Sequence, residues 1–183
     1  MLSGLFSRSA ARAADFSHLQ QASVTFCEVV KRYGDRPVLK GINLSVTPGE
    51  VVPLGQARIA REGRDVTIVS WSRQVQTCLD AAGQLAAQGV QAEVIDLRTL
   101  WPWDKAAVLQ SVATTGRLLV VHEAIRVAGF GAEIAATVAE ETDAHVARLG
   151  APRIPVGYAA TLEAEARVTA AQIAAAAHKL GAP

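Results

Sequence analysis

Polar residues stand at or just beyond the ends of the strands that the apolar pattern predicts. They are Ser70, Ser72, Asp96, Arg98, His122 and Glu123. Ligands of open parallel sheets bind outside the carboxyl ends of the strands, and a histidine beside a glutamate is a combination suited to acid–base catalysis. Successive strand residues point to opposite faces, however, so His122 and Glu123 need not converge. Their role is either chemical or, as the alternation favours, structural or at an interface.

The segment GFGAEI, residues 129–134, leads from a predicted strand into a predicted helix. That is the context of a glycine-rich dinucleotide loop. The third glycine of such a loop would fall at Ile134, whose bulk opposes close packing of helix on strand, and the segment follows the third strand rather than the first. A tight turn is therefore the simpler interpretation, and an anion site at the helix start is the alternative.

Trp101 and Trp103 flank Pro102 after the second predicted strand. Aromatic side chains are enriched in interface centres, so the pair predicts either an exposed patch for a partner or packing of the loop onto its own sheet. No nucleophile elbow and no histidine cluster at metal spacing is present, so no residue is assigned to catalysis, a cofactor or a metal. The candidate interface or anion contacts are His122, Glu123, Arg126, Gly129, Gly131, Glu133, Trp101 and Trp103.

The elements that would position these residues alternate between strand and helix after Glu50. The predicted strands are DVTIVSWS, AEVIDL, RLLVVHEA and the weaker HVARLGA. The predicted helices cover residues 74–88, the segment from Asp104 (its cap) to Gly116, the segment after GFG, and residues 162–180 with Leu162, Ala166, Ile173 and Leu180 on one side. This order predicts an α/β fold with three α/β/α layers and a mostly parallel sheet.

Residues 23–52 have a different pattern, in which VTFCEVV and VLKGINLSV flank the turn YGDRP. We expect a short β-hairpin appendage, too small to build a core alone. Residues 1–22 are expected to be a disordered tail. Arg8 and Arg12 among serines and alanines also fit a transit peptide, so targeting is the alternative.

Composition limits the function classes. The 183 residues are 50% hydrophobic and 19% charged with a net charge of +1, and no basic face is evident, which excludes nucleic acid as an expected partner. No apolar run approaches the roughly 18 residues that span a bilayer. Cys27 and Cys78 are isolated, which favours a reducing, cytoplasmic setting.

Residues 53–183 resemble a known family through four successive motifs: PLGQARIAREGRDVTIVSWS, AEVIDLRTLWPWD, GRLLVVHEAIRVAGFGAEIA and RLGAPRIPVGYAATLE. The family is the C-terminal domain of the transketolase superfamily, and more narrowly the beta subunit of the thiamine-diphosphate-dependent first component of 2-oxo acid dehydrogenases of pyruvate, acetoin or branched-chain type. The resemblance implies assembly with an alpha subunit and a second beta subunit (α2β2) and contact with the dihydrolipoyl acyltransferase core.

In that family thiamine diphosphate and Mg²⁺ lie between the alpha subunit and a pyrimidine-binding domain that should precede Pro53. The resemblance therefore implies that this chain alone binds no cofactor and is not catalytic alone. It also implies a loop between AEETD and HVARLGA longer than the one present.

Residues 23–52 resemble the start of an ATP-binding cassette ATPase, in which Tyr33 would be the adenine-stacking aromatic. The phosphate loop of that family needs a second glycine and a lysine, and PLGQARIAREG provides neither. We therefore expect a chimeric or truncated chain with a boundary near Val52 and Pro53, and a nucleotide-binding fragment of a transporter is the alternative.

Overall fold

The computed structural model describes residues 24–46 and 54–181. The chain divides into two units, Met1–Val51 and Val52–Pro183, and each is described by itself. The predicted tail (residues 1–22) and the boundary at Val52 and Pro53 lie outside the described residues, as does the side chain of Tyr33.

The first unit contains a β-hairpin, as the sequence predicts. Strands β1 (Val24–Tyr33) and β2 (Arg36–Val46) pair antiparallel. They are joined at Gly34, whose φ of +57° is a conformation that glycine adopts without steric cost. A two-stranded hairpin is at best marginally stable by itself.

The second unit contains a five-stranded sheet in the order β3-β5-β4-β6-β7. The strands are β3 (Arg58–Arg61), β4 (Val66–Ser70), β5 (Ala92–Asp96), β6 (Arg117–Ile125) and β7 (His145–Ala151). Only β3 runs antiparallel to its neighbour, β5; the other neighbouring strands are parallel. The mostly parallel sheet predicted from the sequence is confirmed.

Helices cover both faces of this sheet. They are α1 (Gln74–Ala86), α2 (Lys105–Thr115), α3 (Gly131–Glu141), α4 (Ala160–Glu165) and α5 (Ala170–Lys179). Helices α1 and α5 pack in one apolar cluster with Ile68 and Leu119, while α2 and α3 pack in a second cluster with Val69 and Val120. The three-layer α/β/α architecture is therefore confirmed.

Local sequence explains where the helices begin and end. The Asp104 carboxylate accepts a hydrogen bond from the Ala107 amide at 3.0 Å and so caps α2, as predicted. Gly116 ends the same helix in the left-handed conformation, at φ +65°. Every residue of β4 is buried, which fits the nearly unbroken apolar centre of DVTIVSWS and a strand covered on both faces.

Two features differ from the sequence prediction. Strand β3 was not predicted, because its four residues include two arginines and show no apolar alternation. The single helix predicted over residues 162–180 is wrong: α4 ends at Glu165 and α5 begins at Ala170. Thr169 and Gln172 form a capping box that starts a new helix. Leu162, predicted to lie on the same side of one helix as Ile173, is 59% exposed, whereas Ile173 is buried.

Within the described residues, no helix has the length and apolar composition needed to cross a membrane.

Candidate functional site

The centre of the sheet provides the crevice in which an open parallel sheet usually binds a ligand. The chain leaves β4 to form β5 on one side and later returns to form β6 on the other side. Connections that diverge in this way open a crevice at the carboxyl ends of β4 and β6. Most of the polar residues singled out in the sequence stand there.

His122 fills this crevice with its own ring. It is completely buried, and its imidazole stacks on the indole of Trp71 with ring centroids 5.3 Å apart and planes 19° apart. The Phe130 ring packs edge-on against the indole of Trp71, with ring centroids 6.1 Å apart. The crevice between β4 and β6 is thus closed by aromatic packing.

Hydrogen bonding fixes the state of this imidazole. Its Nδ1 lies 3.0 Å from the carbonyl oxygen of Ala124, so Nδ1 carries the proton and donates it. Nε2 is then the unprotonated nitrogen, and it is buried with no hydrogen-bond partner among the described residues. Burial lowers the pKa of His122, with the Ala124 hydrogen bond acting against this and the charge of Arg148 adding to it.

Three glycines allow the close packing around the ring. A Cβ at Gly131 would lie 2.5 Å from both Cδ2 and Nε2 of His122, and a Cβ at Gly129 or Gly150 would lie 2.8 Å from Cε1. The GFG sequence therefore makes room for the histidine rather than for a dinucleotide.

Glu123 points away from His122, to the face that carries α1. Its carboxylate lies 3.8 Å from the Arg73 guanidinium, and its side chain is 49% exposed. The two side chains do not converge, as the strand alternation predicts, so they do not form an acid–base pair.

The other strand-end residues are also used locally. Ser70 is buried on the α1 face beside the Cys78 thiol. Asp96 accepts a hydrogen bond from the Arg98 amide at 3.1 Å and pairs with Arg58 at 3.4 Å. Ser72 has a φ of +57°, and its carbonyl accepts the Val75 amide. These residues do not surround a common space.

The start of α3 has the geometry of a tight turn. The amides of Ala132 and Glu133 donate to the carbonyls of Gly129 and Phe130 at 2.8 and 3.0 Å. Because these amides already have partners, they are not free to bind an anion. Glu133 is exposed in the first turn of the helix.

The two tryptophans separate. Trp103 is partly buried and packs on the cluster beneath α2 and α3, whereas Trp101 is 84% exposed. The sequence left open whether the pair contacts a partner or the sheet. The structure places Trp103 on the sheet and leaves only Trp101 available to a partner.

A larger exposed apolar surface lies where β6 and β7 end, and sequence reasoning missed it. We call this the loop surface; its members are Ile125, Val127, Ile154, Val156, Tyr158 and Leu162, which are 43–103% exposed. The two loops are neighbours, because the Arg126 amide donates to the Ala151 carbonyl at 3.0 Å. The only sequence signal was a set of large apolar residues within the Pro and Gly rich segment 152–158.

The described residues do not fit a thiamine diphosphate and Mg²⁺ site. They contain no group of three or more His, Cys, Asp or Glu side chains that could hold a metal ion. The strand-end oxygens do not converge, because Ser70 is buried beside Cys78 on the α1 face and the Asp96 carboxylate binds the Arg98 amide and Arg58.

The family described as "Transketolase, C-terminal domain" matches residues 55–173. This chain belongs to that family. The match contains the whole strand-end region, including Trp71, His122 and the GFG turn. The stacking of Trp71 on His122 therefore lies within the matched residues.

Several named beta subunits are also similar in sequence to this chain. The beta subunit of acetoin:2,6-dichlorophenolindophenol oxidoreductase from Cupriavidus necator is 42% identical over 85% of this chain and 46% of its own length. The mitochondrial pyruvate dehydrogenase E1 beta subunit from Dictyostelium discoideum is 41% identical over 71% of this chain and 38% of its own. The mitochondrial 2-oxoisovalerate dehydrogenase beta subunit from Chaetomium thermophilum is 52% identical over 55% and 22%. This chain thus spans less than half the length of these relatives.

Among solved structures, a split-gene transketolase described as an inactive beta4 tetramer superimposes with a TM-score of 0.69 at 28% identity. The likeness covers 78% of this chain and 48% of that one. A transketolase from Pichia stipitis, with a TM-score of 0.50 and 20% identity, shares the fold alone.

Proposed function

We propose that residues 53–183 are the C-terminal assembly and partner-contact domain of a thiamine-diphosphate-dependent 2-oxo acid dehydrogenase beta subunit. In this proposal the domain supplies contacts rather than catalytic groups, and the chain alone is inactive. The names of the related beta subunits support the assignment to this class of enzyme.

The loop surface is the observation that carries the proposal. Single exposed apolar residues are ordinary on a soluble protein, but larger groups of them mark interaction sites. Here Val156 is 70% exposed and Tyr158 is fully exposed on the loop after β7, and Val127 is 53% exposed on the neighbouring loop after β6. Burying an aliphatic side chain of this size contributes about 1.5–3 kcal/mol, so a few such residues provide the energy of a stable contact.

The partners follow from the class of enzyme. We propose that an alpha subunit and a second beta subunit assemble with this domain into an α2β2 particle, and that the particle contacts a dihydrolipoyl acyltransferase core. Thiamine diphosphate and Mg²⁺ belong, in this proposal, to the assembled enzyme rather than to this domain. A cytoplasmic location is part of the same proposal.

Co-expression tests this function. The 183-residue chain would be produced with the alpha subunit of a dehydrogenase from the same organism, and the mass of the product measured by light scattering during size exclusion. We expect a mixed complex that Tyr158→Lys and Val156→Lys weaken at least tenfold, because each places a charge in an apolar contact. Ala113→Lys, on the exposed side of α2, is the matched control and should leave association unchanged.

Three results would argue against the proposal. A monomer that ignores the alpha subunit would remove the assembly role. An equal loss of binding in Ala113→Lys and Tyr158→Lys would show that the loop surface is not the contact. A homo-oligomer of this chain, as in the beta4 tetramer of the split-gene transketolase, would support self-association instead of α2β2 assembly.

The nucleotide-binding alternative gains no support from the relatives. A nucleotide-dependent rise in melting temperature would revive it. The chimeric origin of residues 1–52 likewise stays a prediction, which the DNA sequence directly upstream and across codons 50–54 would test.

A further inference from the structure

A cavity of about 680 Å³ lies between the end of the edge strand β7 and helix α5. It is separate from the closed crevice around His122, because its walls come from Leu149–Arg153 and from α5 rather than from Trp71 and α3. Its volume lies within the range of about 300–1,000 Å³ that is typical of small-molecule sites.

Positive charge predominates around this cavity. Four cationic residues line it, Arg126, Arg153, Arg167 and Lys179, against the single acidic residue Glu165. Arg167 is neutralised by an ion pair with Glu163, four residues earlier in the chain. In the described part of the chain, no ion pair engages Arg126, Arg153 or Lys179. Three uncompensated cations around one concave space repel one another, and an anion between them relieves that repulsion.

The wall of the cavity between the cations is apolar. Ala151 and Val168 are buried there, and Leu149 and Ala176 are partly buried. A fully hydrated inorganic ion gains nothing from such a wall, whereas the carbon skeleton of an organic ligand buries apolar surface against it. The combination of an apolar wall and a cationic rim selects an organic anion.

We propose that this cavity binds a small organic anion with two or more negative charges, carried by carboxylate or phosphate groups. Arg126 and Arg153 bind those groups, because a guanidinium group can donate two parallel hydrogen bonds to a carboxylate or phosphate in a bidentate geometry. Lys179 reaches the same space from α5 as a point charge. The site is additional to the assembly role, and it requires no partner subunit.

Calorimetry on the full 183-residue chain at low salt tests the proposal. The probes are citrate, which carries carboxylates, and fructose 1,6-bisphosphate, which carries phosphates; acetate is the monovalent control. We expect one-to-one binding of at least one multivalent probe with a Kd below about 1 mM, and much weaker binding of acetate. Arg126→Gln and Arg153→Gln should each weaken that binding about five- to tenfold, because each removes one charge-assisted contact at a solvent-exposed rim.

Arg64→Gln is the matched control, since Arg64 is an exposed arginine outside the cavity. Equal weakening in Arg64→Gln and Arg153→Gln would overturn the proposal, because it would show non-specific attraction. Absence of binding by both probes at about 10 mM would overturn it as well. If hexaglutamate binds but neither citrate nor fructose 1,6-bisphosphate does, the proposal is overturned in favour of an acidic protein partner. Melting temperatures of the three variants, which should match the wild type, show that each variant is folded.

Discussion

The indole of Trp71 stacks on the imidazole of His122 across the crevice between β4 and β6, with 5.3 Å between ring centroids. Trp71 directly follows β4, and His122 lies in the carboxyl-terminal half of β6, so the contact joins the two strands where their connections diverge. Many parallel sheets keep this position open for a ligand. In this domain two aromatic rings occupy it, which explains why the polar strand-end residues do not form a site together.

Gly131→Ala should destabilise the domain because it pushes α3 against the buried histidine. The new Cβ would lie 2.5 Å from Cδ2 and Nε2 of His122 and 3.1 Å from Cγ1 of Val120. Overpacking of this kind costs about 1–3 kcal/mol of unfolding free energy. Urea unfolding followed by circular dichroism measures it.

Gly83→Ala is the control for that substitution. Gly83 lies within α1, is exposed, and would have nothing within 4 Å of a new Cβ. Alanine there should stabilise the domain by about 0.5–1 kcal/mol through helix propensity. If both variants shift stability in the same direction, the close packing around His122 is not the cause of the Gly131 effect.

Stability should fall as the pH decreases below about 6.5, the ordinary pKa of histidine. Burial lowers the pKa of His122 in the folded state. Between that lower value and 6.5 the unfolded chain binds a proton that the folded chain does not, so acid favours unfolding. The free energy of unfolding should therefore decrease by up to about 1.4 kcal/mol per pH unit within this window.

Urea titrations at pH 7.5 and 5.5 measure this effect, and His122→Gln provides the comparison. The variant should lose stability at both pH values but show a smaller difference between them. An identical pH dependence in the wild type and in His122→Gln would assign the effect to other groups.

Local rules predicted the features that depend on near neighbours in the sequence. Asp104 precedes an apolar helical stripe, and it caps α2 as expected. His122 and Glu123 diverge because strand alternation is a property of the backbone itself. The α/β/α order could likewise be predicted, since each strand–helix unit carries its own apolar pattern.

The features that could not be predicted from the sequence depend on contacts between residues that are far apart in the chain. Strand β3 exists because β5 offers an edge for pairing, which the RIAR sequence does not reveal. The break between α4 and α5 places Val168 in the core, where its carbonyl accepts a hydrogen bond from Gln74 at 3.2 Å, 94 residues away in the chain. The four cationic residues that line the cavity at β7 come from separate segments of the chain, so no local motif contains them.

The two cysteines should differ in reactivity. Burial raises the pKa of Cys78 to about 12, with the Ser70 hydroxyl acting in the opposite direction, whereas Cys27 is exposed. The thiolate is the reactive form, so Ellman's reagent at pH 8 should titrate one thiol per native chain and two in urea. Cys27→Ser should abolish the native reaction. Rapid modification of Cys78 in the folded Cys27→Ser chain would contradict the buried environment of this thiol.

A cluster of buried hydroxyl groups joins β4 to α2. The Thr67 hydroxyl lies 2.6 Å from the Ser111 hydroxyl and 2.7 Å from that of Thr115, and all three residues are buried. Thr67→Val keeps the shape but removes the central partner, so Ser111 loses its only hydrogen bond among the described residues. Thr115 retains the Arg117 carbonyl at 3.1 Å. We expect a loss of about 1–3 kcal/mol, most of it from Ser111.

The double variant Thr67→Val with Ser111→Ala identifies the source of that loss. Removing both hydroxyls leaves one fewer unpaired polar group than Thr67→Val alone. Ser111→Ala should therefore lower the free energy of unfolding much less in the Thr67→Val background than in the wild type. A coupling energy of about 1 kcal/mol in denaturant unfolding would fit the cluster. Strict additivity of the two substitutions would show that the short contact between these hydroxyls contributes nothing to holding α2 on the sheet.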